Sequence, residues 1–72
     1  MKIHMTPKKP VNGINGCKIY KNTKITWFDK STHTEYTGIA TDIHPLSNTL
    51  LFHEMNNEFE QRIDAYDCKP IN

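Results

Sequence analysis

The chain is short of the features that announce a specific chemistry. Its two cysteines, Cys17 and Cys68, form no C-x-x-C pair, whereas a secreted mini-protein of this size usually carries about four or more. Two semi-buried thiols in a reducing compartment are the simpler reading, and a disulfide tying the first strand to the last is the alternative. No apolar run approaches the roughly 20 residues that cross a bilayer, and the opening Met-Lys-Ile-His-Met lacks the apolar stretch of a secretory signal. A cytoplasmic protein with no membrane partner is expected. No glycine-rich phosphate loop is present, and the serines and cysteines stand in no arrangement with His and Asp.

The histidines His4, His33, His44 and His53 show no H-x-x-x-H or paired Cys/His spacing, so surface histidines are expected and not a metal site. Glu54, Glu58 and Glu60 are carboxylates without a visible pocket to shift their pKa values. A chain of 72 residues fills so small an interior with side chains. The expectation is a protein with no catalytic residues and no cofactor.

What the chain does contain is a strand pattern. It is 36% hydrophobic and 24% charged, and Trp27, Phe28, Phe52, Phe59, Tyr20, Tyr36 and Tyr66 provide most of the bulk available for a core. Residues 1–16 hold Pro7, Pro10, Gly13 and Gly16 with no period, which reads as an irregular or mobile lead-in to a domain spanning 17–72. From there Cys17, Ile19, Thr23, Ile25 and Trp27 occupy alternate positions against Lys18, Asn22, Lys24 and Thr26, the period of a strand with one buried face. Lys21 interrupts that face and splits the run into two segments.

A polar turn at 29–34 leads to a second strand at 35–43, rich in Thr, Tyr and Ile. Gly38 inside it reads as a bulge, a bend or a close backbone approach. The Pro45, Ser47 and Asn48 turn precedes a third strand at 49–53 with Leu50 and Phe52 on one face. A fourth at 58–63 points Phe59 and Ile63 inward, a single helical turn at 64–67 follows, and 68–71 closes the set. Phe52, Met55, Phe59 and Ile63 would also line a helix over 50–65, but Asn56 and Asn57 in its middle favour a turn. The fold class expected is all-β: a small five-stranded, strongly bent antiparallel sheet or barrel of Sm-like or SH3-like kind, with a flexible N-terminal segment.

Two surfaces suggest themselves. Lysines dominate residues 1–30, and carboxylates dominate 31–72. The two halves are expected to pair in part across the sheet. Tyr20, Lys21, Lys24 and Phe28 interleave basic and aromatic side chains, the combination that binds single-stranded DNA or RNA. Tyr36, Met55 and Phe59, beside the acidic turn between the third and fourth strands, are residue types favoured in protein-binding patches. An exposed edge strand would offer a partner protein main-chain hydrogen bonds, or a route to a homo-oligomer.

The stretch Thr-Gly-Ile-Ala-Thr-Asp-Ile-His-Pro-Leu-Ser-Asn-Thr-Leu-Leu-Phe at 37–52, followed by Arg-Ile-Asp-Ala-Tyr-Asp-Cys-Lys-Pro-Ile at 62–71, resembles the C-terminal barrel of YolD-like proteins and, more loosely, Sm-like barrels. The resemblance covers residues 24–71. It implies a five-stranded barrel and a bacterial or prophage setting near error-prone DNA polymerases. The helical N-terminal portion of that family has no counterpart here, His44 stands where an acidic residue is common, and no Sm-type uridine pocket is recognisable. The reading of function is therefore a non-enzymatic module that binds a protein, with single-stranded nucleic acid as the alternative.

Overall fold

The computed structural model describes residues 9–56 and 60–71. Every regular element among these residues is a strand or a single 3-10 turn. The strands are β1 (Val11–Asn12), β2 (Lys18–Ile19), β3 (Thr23–Asp29), β4 (Thr34–His44), β5 (Thr49–Glu54), β6 (Glu60–Asp64) and β7 (Cys68–Pro70). β1 and β2 form a small hairpin, and the other five form one antiparallel sheet in the order β6-β5-β4-β3-β7. The sheet is not closed.

The period-2 pattern translates into one buried face. Ile25 on β3, Ala40 and Ile43 on β4, Leu50 and Phe52 on β5 and Ile63 on β6 all point to the same side, together with Val11, Ile19, Ala65 and Cys68. Each fully buried Ile or Leu contributes about 1.5–3 kcal/mol of transfer free energy. Trp27 and Tyr36 pack against this cluster from one end, their rings stacked at 5.3 Å with Phe52 tilted behind at 5.6 Å.

Two devices curl the sheet. Gly38 lies where β5 comes so close that an added Cβ would strike the His53 carbonyl and stand 2.8 Å from the Phe52 ring. Close backbone approach is therefore what the glycine permits. The bulge is separate: the β4–β5 register shifts between Ala40 and Asp42, leaving Thr41 extra. The helical turn expected near 64–67 is the 3-10 turn Ala65–Asp67, whose first amides are capped by Asp64 accepting from the Tyr66 N–H at 2.9 Å. Residues 49–64 are strands and not a helix, since Leu50 and Phe52 need the pleat of β5 to face the core together.

Two expectations are corrected. Within residues 9–16, read as irregular, β1 and the 3-10 turn Ile14–Gly16 are ordered elements, and Val11 is completely buried. Two residues are too few to show a period, so only the tertiary partner reveals the strand. Cys17, placed on the buried face by its spacing, is exposed, while Cys68 is buried, and both are free thiols. Cys17 closes the 3-10 turn Ile14–Gly16 and precedes β2, so it is not part of the strand alternation that buries Ile19. Residues 1–8, the rest of the expected flexible segment, lie outside the described residues.

Candidate functional site

The two edges of the sheet are unlike, and the difference follows from hydrogen-bond alternation. In an antiparallel pair only every second residue points its N–H and C=O at its neighbour. The Ile71 N–H donates to the Lys24 carbonyl at 2.9 Å, so on β7 Lys69 faces β3 while Cys68 and Pro70 face outward. Pro70 has no N–H to offer. The Cys68 N–H is spent on the Ala65 carbonyl, and the Cys68 carbonyl lies against the Gly13 backbone, close enough that a Cβ there would be 2.5 Å away. The β7 edge is thus blunted by composition and covered by the N-terminal hairpin.

The β6 edge has neither protection. The Ala65 N–H donates to the Asn48 carbonyl at 3.0 Å, and in the register that pairs Leu50 with Ile63 and Phe52 with Gln61 this turns the main chains of Gln61 and Ile63 toward β5. Those of Glu60, Arg62 and Asp64 then point away from the sheet. Asp64 is engaged locally, its carboxylate by the Tyr66 N–H and its carbonyl by the Cys68 thiol at 3.7 Å. Glu60 and Arg62 have no strand beyond them among the described residues. Their side chains lie on the outer face: Arg62 Nη2 is 3.5 Å from His44 Nε2, and Glu60 is 3.8 Å from His53 Nδ1. Beside Arg62 runs a groove of about 370 Å³ whose wall includes Pro45 and the fully exposed Leu46.

The residues expected to bind nucleic acid do not form one row. Lys24 and Phe28 share the outer face of β3, whereas Tyr20 and Lys21 belong to the exposed turn before it, where the Thr23 N–H bonds the Tyr20 carbonyl at 3.2 Å. Phe28 is half-buried, with Lys69 Nζ 5.8 Å above its ring and Glu35 as its cross-strand neighbour. Of the residues expected to bind protein, Tyr36 is spent on the Trp27 stack, Met55 is exposed with its N–H bonded to the Thr37 carbonyl, and Phe59 lies outside the described residues. Charge pairing between the two halves of the chain is realised at Lys30 and Asp67, 3.0 Å apart, and the Asp67 carboxylate raises the Lys30 pKa.

Glu60 and Arg62 were not singled out as a pair by the sequence. Their alternation of sign with Asp64 is visible there, but it acquires meaning only on an open edge. The arrangement can take up an extended segment through main-chain bonds. Among the described residues, fold and edge together define a small all-β domain with one closed and one open sheet edge. No protein-family model, no curated protein and no solved structure matches the chain.

Proposed function

We propose that this protein is a non-enzymatic binding module of the cytoplasm that takes up an extended segment of a protein along β6. The single observation that carries the reading is the contrast between the edges: β7 is capped by Pro70 and Gly13, while Glu60 and Arg62 turn their main chains outward with no neighbour among the described residues. Strand addition takes affinity from such main-chain groups and specificity from the side chains around them. Pro45 and Leu46 supply an apolar seat next to the edge, and Met55 stands exposed at the end of β5. Protein is placed ahead of nucleic acid because the best stacking platform, Phe28, already lies under Lys69 and beside Glu35. We extend the proposal to a bacterial or prophage origin on the strength of the YolD-like resemblance alone.

The test is a selection of phage-displayed twelve-residue peptides on the immobilised domain, followed by titration of the winners into nitrogen-labelled protein. The reading expects shifts at the Glu60 and Arg62 amides and loss of binding when the Arg62 amide is N-methylated in synthetic protein. Shifts confined to Lys24, Phe28 and Lys69, reproduced by a short oligonucleotide and lost with added salt, would replace it with the nucleic-acid reading.

A further inference from the structure

We propose that the segment taken up along β6 is β6 of a second copy of this chain, paired antiparallel about a two-fold axis between the two Gln61 residues. The inference rests on the strand-addition reading and adds the identity of the partner. It comes from the sign pattern of the outward-facing row, which runs Glu60, Arg62, Asp64.

An isologous antiparallel pair must place outward-facing residues opposite one another, and the choice of axis decides which charges meet. An axis at Arg62 sets Arg62 against Arg62 and Glu60 against Asp64, like against like, which is destabilising. An axis at Glu60 brings the two Glu60 carboxylates together. An axis at Ile63 matches Arg62 with Asp64, but the Asp64 carboxylate is held by the Tyr66 N–H at 2.9 Å, its carbonyl is held by the Cys68 thiol at 3.7 Å, and the chain leaves the strand there for the 3-10 turn.

Within the described strand Glu60–Asp64, the axis at Gln61 avoids all three faults. It sets Glu60 opposite Arg62 of the second copy, twice, as opposite charges. Each such pair is a hydrogen-bonded pair of the new ladder, so both residues exchange main-chain bonds. The existing contacts of these side chains, to His53 at 3.8 Å and His44 at 3.5 Å, are long and on the surface, and cost little to exchange. The two sheets become one continuous sheet with no open edge in the middle. So short a seam buries less than the roughly 1,200 Å² of a stable interface, so the pair forms in a concentration-dependent manner.

Charge exchange tests it without disturbing the core, because both side chains are exposed. In nitrogen-labelled wild-type protein raised about fifty-fold in concentration, from the low micromolar range, the Glu60 and Arg62 amides are expected to shift and translational diffusion to slow. The Gln61 and Ile63 amides, already bonded to β5, stay put. E60R alone and R62E alone lose this dependence, since each then faces like charge. An equimolar mixture of the two variants regains it, as does the double variant E60R/R62E. A mixture no more associated than its components overturns the proposal, and so does a wild-type protein that ignores concentration. If selected peptides still move the Glu60 and Arg62 amides in that second case, strand addition stands without self-pairing. If they do not, both readings fall.

Discussion

The side-chain amide of Asn48 straddles the main chain of Asn12, accepting from its N–H at 2.7 Å and donating to its carbonyl at 2.9 Å. One residue thereby acts as a strand partner for β1, and its own carbonyl receives the Ala65 N–H at 3.0 Å. The N-terminal hairpin, the β4–β5 turn and the 3-10 turn meet at this residue, which itself sits at φ 54°.

Asn48→Ala removes both bonds to half-buried main-chain groups and puts in the left-handed region a residue that tolerates it less well than asparagine. A loss of about 2–4 kcal/mol is expected by urea denaturation. Asn48→Gly keeps the backbone comfortable and isolates the two bonds at about 1–3 kcal/mol. Asn12→Ala leaves the clamp intact, since it uses only the Asn12 main chain, and forfeits an exposed bond from Lys18; its effect should stay within about 0.5 kcal/mol.

Val11 is fully buried although it precedes the long strands. Val11→Ala should cost about 1–2 kcal/mol, scaled from the methylenes removed. Deleting residues 1–12 should cost more than deleting residues 1–8, because only the longer deletion removes β1. Thermal melts of the two truncations check this.

Gly38→Ala forces a methyl group against the His53 carbonyl and the Glu54 Cα, the latter at 2.9 Å. Both obstacles on β5 are backbone and cannot swing aside, so about 3 kcal/mol of destabilisation is expected, at the upper end of overpacking costs. The shift should appear as a lower denaturant midpoint.

Burial pushes the Cys68 thiol up to about 12, with Asp67 and Asp64 adding to the effect. The folded chain therefore holds a proton that the unfolded chain releases near the ordinary thiol value of 9.0, so stability is fully present below that value and falls as pH rises toward about 12. Urea midpoints measured at intervals over that window should decline, and Cys68→Ala should flatten this component. In native protein at neutral pH a thiol reagent should titrate the exposed Cys17 alone, with Cys68 reacting once the chain is denatured.

Much of the sheet was legible in the sequence because its signals are local. Alternation at Ile25 and Trp27 and at Leu50 and Phe52, the turn chemistry around Pro45 and Asn48, and the short polar run 64–67 each act within a few residues, and they determine an all-β chain whatever lies elsewhere. The open edge was not legible, because an edge is a property of pairing order: nothing in residues 60–64 says that β7 will insert beside β3 and leave β6 with one neighbour among the described residues. The same holds for Asn12 and Asn48, which meet across 36 residues of chain, and for Cys68, which is buried in the core although it lies near the end of the chain. Sequence alone decided which residues pleat and turn, through short-range sterics and hydrophobic period. The tertiary structure alone decided which backbone groups remain unpaired, because that is settled by which distant strands meet.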